Sequence, residues 1–234
     1  MNMVNTYYAI IVAGGSGQRM YSDTPKQFIL LNNIPILMHT IKAFYQNKFQ
    51  PEIILVLAKT DEKLWQNLIE QYNFTIPHKI VFGGPERFHS VKNALTQIKN
   101  ENAVIAVHDA VRPLVSQETI SNCYQKASEN GNAVAAIPSK DSVRKLADYK
   151  STALLRSEIY LVQTPQTFLY NQLNKAYQQG FSSEFTDDAS VVEKAGFTIH
   201  LEKGDEFNFK ITFIEDLIIA EAILNSKNKL KIRT

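Results

Sequence analysis

Only one cysteine, Cys123, occurs in the 234 residues. This excludes an internal disulfide, and no second cysteine or histidine cluster accompanies it to suggest a zinc site, so a reducing compartment is expected. Charge of one sign is equally scarce. Lys and Arg total 25 against 23 Asp and Glu, a formal net charge of +2. That balance excludes the broad basic footprint of a general nucleic-acid binder and requires any anionic ligand to be met by a local cluster. Long hydrophobic runs are missing too: the longest, 7–15 and 53–58, fall far short of the roughly 18 to 20 residues of a membrane span. No basic residue precedes the first apolar run, so a secretory opening is absent as well, and a soluble cytoplasmic protein with no membrane partner is expected. Glycine is sparse at nine residues, yet five of them, Gly14, Gly15, Gly17, Gly83 and Gly84, fall in two short loops.

What is present is globular: 44% of residues are hydrophobic and 21% charged, at a length that fits a single domain spanning 1–234. Short runs rich in Ile, Val and Ala alternate with stretches of helical period. The pattern predicts strands over 7–13, 52–58, 79–82, 103–107 and 133–137, apolar on both faces, with helices over 36–45, 61–72, 88–99 and 117–130. That alternation is the signature of an α/β fold, a single doubly wound, Rossmann-like and mostly parallel sheet with helices on both faces, whose ligands collect at the carboxyl ends of the strands. From Ser139 to Arg156 the pattern breaks into a polar stretch with five basic residues, Lys140, Arg144, Lys145, Lys150 and Arg156. It reads as an excursion from the core, either a protruding β-arm or a solvated loop. Regular structure is expected to resume near Thr167, with helices over 169–179 and 187–194, a short strand near 198–202, a last helix from Ile214 to about Asn225 and a fraying basic tail.

Four segments carry candidate chemistry. Ala13, Gly14, Gly15, Ser16 and Gly17 follow the first strand, with Arg19 and Lys26 close behind. Glycines let several backbone N–H groups point at one phosphate chain, and the two cations add fixed charge; without a ligand the same loop is a tight strand-to-helix turn. The dinucleotide fingerprint does not fit, because Met20 stands where its third glycine belongs and no Asp or Glu occurs between Asp23 and Glu52. No Gly-Lys-Ser or Gly-Lys-Thr supplies a P-loop either. Gly83, Gly84, Pro85, Glu86, Arg87 and Ser90 offer a second wall of the same crevice, where backbone groups and Ser90 could read a base, or merely a turn opening a helix. Asp109 leaves a buried strand beside His108, Arg112 and Pro113, where it could hold a ribose hydroxyl or Mg²⁺; Arg112 could instead pair with a carboxylate, and His108 is assigned no chemical role. Last come Asp187 and Asp188, which could simply cap a helix, and Lys210, either solvated or the third cation of a phosphate cluster with Arg19 and Lys26.

Taken in order, the glycine loop with Arg19 and Pro25-Lys26-Gln27, Glu86-Arg87 with Ser90, His108-Asp109-Ala110 with Arg112-Pro113, Gln163-Thr164-Pro165-Gln166, Thr186 to Ser190, and Asn208 with Lys210-Ile211-Thr212 resemble the 2-C-methyl-D-erythritol 4-phosphate cytidylyltransferase family. The resemblance spans nearly the whole chain. It implies transfer of a cytidylyl group from CTP to 2-C-methyl-D-erythritol 4-phosphate, with Mg²⁺, giving 4-diphosphocytidyl-2-C-methyl-D-erythritol and pyrophosphate. It implies that Arg19, Lys26 and Lys210 surround the reacting phosphates as catalytic cations. Ala13, Gly14, Gly15, Gly17, Gly84 and Ser90 would bind the nucleotide, and Asp109 the ribose and metal. In such a family the arm, 139–156, hooks a second subunit into a homodimer, and Ser142, Arg156 and Thr164 bind the polyol phosphate. Two departures stand out: Pro85 sits where some relatives carry Asp, and Ser142 replaces a commoner Thr while keeping the hydroxyl. Two other readings share much of this pattern, a ribitol 5-phosphate cytidylyltransferase and a non-catalytic nucleotide-binding regulator. Ser90 and the full Thr-Asp-Asp-Ala-Ser run speak against the first, and the intact cation set against the second. A dehydrogenase reading is weaker than either.

Overall fold

The computed structural model describes residues 6–14 and 24–231, with side chains as far as residue 226. Its first strand, β1 (Thr6–Val12), buries Ala9 and Ile11 on one face and Ile10 on the other. Alternate residues of a strand point to opposite faces, so a strand that buries apolar residues on both faces belongs inside a sheet covered on both sides. The same holds for β4 (Glu52–Leu57) and β6 (Ala103–Asp109). Between β1 and β4 lie a small hairpin, β2 (Leu30–Leu31) with β3 (Ile34–Pro35), and helix α1 (Ile36–Tyr45). Helix α2 (Glu62–Gln71) leads to β5 (Lys79–Phe82), and α3 (Arg87–Leu95) leads to β6. Helix α4 (Gln117–Asn130), capped by the Ser116 hydroxyl, leads to β7 (Asn132–Pro138).

The remaining elements are a hairpin of β8 (Arg144–Ala147) and β9 (Lys150–Ala153), β10 (Tyr160–Leu169), helices α5 (Tyr170–Ala176) and α6 (Asp188–Lys194), β11 (Leu201–Lys203) and α7 (Ile214–Lys231). Seven strands form the central sheet in the order β11-β7-β10-β6-β1-β4-β5. All neighbours run parallel except at β10, which is antiparallel to both β6 and β7. Side chains of α1, α2 and α4 pack on one face of the sheet, and those of α3, α5 and α6 on the other. The order reverses between β1 and β6, since the chain goes from β1 outward to β4 and β5 and then returns to β6 on the other side. Such a switch point opens a crevice at the carboxyl ends of the two strands.

Two expectations are corrected here. Strand β10 begins at Tyr160, where irregular chain was expected to persist to Thr167, and its middle, Gln163 to Pro165, lies within a register shift against β7. Pro165 is tolerated because it stands at that irregularity rather than inside a continuous ladder. At the other end, the last helix holds its backbone to Lys231 rather than ending near Asn225. The basic stretch, by contrast, is the arm: β8 and β9 pair as a separate two-stranded sheet, exposed at every strand residue. Its two turn residues, Asp148 and Tyr149, have φ of 48° and 62°, the positive values that a tight two-residue hairpin turn demands.

Candidate active site

Three strand ends and one late segment converge on a single cleft of about 360 Å³, lined by Ala13, Gly14, Lys26, Gly84, Ser90, Asp109 and Lys210 among others. A roomier groove of about 940 Å³ opens between Tyr45, Glu52 and His78 at the amino ends of β4 and β5, the side where this fold places no ligand. Each wall of the first cleft has a local cause. Pro25 precedes a single helical turn over Lys26–Phe28, in which Gln27 and Phe28 are buried, so that Lys26 is left facing the cleft. Gln27 ties this turn down by donating from Nε2 to the Ala13 carbonyl and to Asp61 Oδ2, both at 3.0 Å.

The second wall is the turn after β5. Ser90 Oγ accepts from the Gly84 amide and donates to the Glu86 carbonyl, each at 3.2 Å. This folds the turn back onto α3. A Cβ on Gly84 would lie 2.4 Å from His89 Cβ, too close for any side chain, so glycine there is a packing requirement.

The third wall holds the charge. Asp109, at the end of β6, takes Lys210 Nζ at 3.1 Å and Arg112 Nε at 3.3 Å on Oδ2, while Arg87 Nε stands 3.9 Å from Oδ1. Burial alone would raise the Asp109 pKa, but the charges of Arg87, Lys210 and Arg112 overcome it and hold the carboxyl well below the usual range. Lys210 is brought here by backbone: the Ile211 amide donates to the Val111 carbonyl at 2.9 Å, and Arg112 Nη1 donates to the Asn208 carbonyl at 2.8 Å. Buried Asn208 in turn donates to the Thr164 carbonyl at 2.7 Å.

Among the described residues no group of three or more His, Cys, Asp or Glu side chains is arranged to hold a metal ion by itself. The cleft suits Mg²⁺ in another way, because that ion often takes one or two carboxylates and completes its shell with substrate phosphates and water. Among the described residues, Asp109 Oδ2 receives both close cations, and the one ion-pair partner of Oδ1 is the more distant Arg87 Nε. Oδ1 is therefore the atom that fits a metal.

Several expected site residues lie elsewhere. Gly15, Gly17 and Arg19 fall outside the described residues. Ser142 and Arg156 are exposed on or beside the arm, and neither lines the cleft. Thr164 is buried with its hydroxyl already engaged, accepting from the Asp109 amide at 3.1 Å and meeting His108 Nδ1 at 3.0 Å. In this arrangement it steadies the floor beneath Asp109. His108 is fully buried, its Nε2 3.1 Å from the Arg112 carbonyl, which leaves it no face toward a substrate. The Asp pair divides: Asp187 caps α6 in a capping box with Ser190, whereas Asp188 is buried against Arg87. Arg87 stands in the second candidate segment and in the Glu86-Arg87 motif, but neither gives it this role of pairing with Asp188 and Asp109. Its position was the available signal, since a cation in the first turn of a helix opposes the helix dipole and calls for a carboxylate nearby.

Burial, with the charges of Arg112 and Arg87 adding to it, lowers the His108 pKa to about 4. Unfolded, the ring would titrate near 6.5. Between these values the unfolded chain binds the extra proton, so stability falls as pH drops from about 6.5 to about 4, by on the order of 3 kcal/mol from this ring alone. Urea unfolding at a series of pH values should show that slope, and His108→Asn should flatten it even if its stability at pH 7 is lower. An equally steep slope in the variant would refute the assignment.

The model of the family described as 2-C-methyl-D-erythritol 4-phosphate cytidylyltransferase matches residues 7–226. The chain is 48% identical over 219 residues to the protein of that name from Azobacteroides pseudotrichonymphae, covering 93% of this chain and 98% of that one. It is 44% identical over 215 residues to its namesake from Bacteroides thetaiotaomicron, covering 92% and 98%. The fold matches the crystal structure of 4-diphosphocytidyl-2C-methyl-D-erythritol synthase from Anaerococcus prevotii with a TM-score of 0.81 at 28% identity, over 94% of this chain and 96% of that one. It matches the Francisella tularensis 2-C-methyl-D-erythritol 4-phosphate cytidylyltransferase with a TM-score of 0.77 at 32% identity, over 93% and 99%. This chain therefore belongs to the 2-C-methyl-D-erythritol 4-phosphate cytidylyltransferase family.

Proposed function

We propose that this protein transfers the cytidylyl group of CTP to 2-C-methyl-D-erythritol 4-phosphate, forming 4-diphosphocytidyl-2-C-methyl-D-erythritol and pyrophosphate. The observation that carries the reading is convergence: residues as far apart in the chain as Ala13, Gly84, Asp109 and Lys210 line one cleft at the switch point of the sheet. The nucleophile is a phosphate anion, so no general base is required. That agrees with a site whose nearby histidine is buried and neutral at pH 7. Catalysis then consists of aligning the attacking oxygen with the α-phosphorus and meeting the charge that builds on its oxygens. Lys26 and Lys210 supply fixed positive charge from two parts of the cleft lining, and Arg19 is proposed as the third cation. Asp109, through Oδ1, would hold Mg²⁺, which when bound neutralises charge on the triphosphate oxygens.

Base selection follows from Ser90. Its hydroxyl proton is committed to the Glu86 carbonyl, and one lone pair accepts from the Gly84 amide, so the capacity left is an acceptor's. Cytosine offers an amino donor there, whereas uracil offers another acceptor. The polyol phosphate is proposed to meet Arg156 and Ser142 from the arm of a second subunit, with Thr164 supporting from below. An isolated two-stranded hairpin is marginal in water, and this one exposes Leu146 and Tyr149 at its tip, as an element seated on a second copy would. Among the described residues no helix is long and apolar enough to cross a membrane, and none is needed for these substrates.

Pyrophosphate release from CTP, measured with 2-C-methyl-D-erythritol 4-phosphate and with ribitol 5-phosphate in parallel, tests the acceptor. A higher kcat/KM is expected for the first. Faster turnover of ribitol 5-phosphate would overturn the assignment.

A further inference from the structure

In the cleft wall, Arg87 is shared between two carboxylates unequally. Its Nη2 donates to Asp188 Oδ2 at 2.6 Å, whereas its Nε stands 3.9 Å from Asp109 Oδ1. Asp188 is completely buried, and its second oxygen, Oδ1, accepts from the Tyr177 hydroxyl at 2.6 Å. The Tyr177 ring is itself fixed, stacked on Phe88 of α3 with centroids 4.8 Å apart. Neither Asp188 nor Tyr177 lines the cleft. A buried carboxylate this well satisfied keeps its place, and it draws the guanidinium toward itself.

We propose that Asp188 and Tyr177 are positioning residues: they hold the Arg87 guanidinium back from Asp109, and so keep Asp109 Oδ1 open to the divalent cation that accompanies CTP. This rests on the reading of the cleft as a site for CTP with Mg²⁺. Without the Asp188 charge, the nearest anion to Arg87 is Asp109. A guanidinium pairs with a carboxylate in a two-pronged fork, and closing that fork on Asp109 would take Oδ1 from the metal. Burial, then the charge of Asp188, pushes the Tyr177 pKa well above its ordinary value, so Tyr177 stays a neutral donor and Asp188 remains the acceptor.

The test is the affinity for CTP by calorimetry, with no polyol phosphate present, in saturating Mg²⁺ and again in EDTA. The ratio of the two affinities reports metal coupling independently of turnover. Asp188→Asn keeps the volume of the side chain and a hydrogen-bond acceptor for Tyr177, and is expected to reduce the ratio about tenfold. Tyr177→Phe, which removes one hydrogen bond and no charge, is expected to reduce it about threefold. The double variant Arg87→Gln/Asp188→Asn removes the competitor as well and should regain most of the lost coupling, whereas a merely structural anchor would make it worse than Asp188→Asn. If Asp188→Asn does not fold, by circular dichroism and urea unfolding, the Tyr177→Phe ratio decides. An unchanged ratio in the folded single variants, or no recovery in the double, overturns the proposal. So does a wild-type ratio of one. Wild-type protein that fails to bind CTP at all would instead refute the cytidylyltransferase reading.

Discussion

Lys26→Ala and Lys210→Ala should each lower kcat by about a hundredfold to a thousandfold while leaving CTP binding within a few-fold of wild type. Charge placed where it builds up only in the transition state supports rate more than ground-state affinity. Both substitutions are also clean by construction. Lys26 rides on a turn anchored by buried Gln27 and Phe28, so its truncation leaves the anchors in place. Lys210 is 44% exposed, and its segment is held by the Ile211 and Asn208 contacts rather than by its own side chain. After Lys210→Ala, Asp109 still faces Arg112 and Arg87 and stays ionised. Steady-state kinetics with both substrates, paired with CTP titration, separates the two quantities. Wild-type turnover in both variants would sink the mechanism.

The second large effect concerns the arm. Replacing residues 139–156 with a short Gly/Ser linker should give a monomer by sedimentation, and lower kcat/KM for the polyol phosphate by about a hundredfold, with CTP affinity unchanged. The excision is geometrically mild. β7 and β10 pair up to Pro138 opposite Tyr160, and the Ser139 amide donates to the Ile159 carbonyl at 2.9 Å, so the cut ends are already neighbours. Every residue of β8 and β9 is exposed, and no core side chain leaves with them. A fully active monomer would refute the shared site.

Local pattern was enough for the elements that bury apolar side chains at a regular period. β1, β4 and β6 are visible as runs of Ile, Val, Leu and Ala, α1 and α4 as buried side chains at helical spacing, such as Ile120, Cys123, Tyr124 and Ala127 in α4, and the parallel sheet follows from their alternation. β10 was not visible, because its middle is Gln163, Thr164, Pro165 and Gln166. Gln163, Thr164 and Gln166 are buried polar residues in a central strand, and what makes them fit is long-range hydrogen bonding that no period reveals. Gln163 bonds the Asp205 backbone, and Gln166 bonds Asp187 and the Ala189 amide. They pin the late loops to the sheet, and so carry Lys210 to the cleft.

The site shows the same division. Glycines and cations near strand ends were readable as ligand loops, because position at a strand end is a rule of the fold. Thr164 and Ser90 were readable as hydroxyls near a site, but not as groups already engaged beneath Asp109 and within the Gly84 turn. Arg87 and Asp188 lie 101 residues apart, and only the placing of α3 and α6 on the same face of the sheet brings them into contact.

The most direct test of the whole account is ³¹P NMR of the purified protein incubated with CTP, Mg²⁺ and 2-C-methyl-D-erythritol 4-phosphate. The CTP resonances should be replaced by a new diphosphate diester and free pyrophosphate in equal amounts, with no reaction when UTP replaces CTP. CTP that binds but stays intact while the polyol phosphate is unchanged would contradict it.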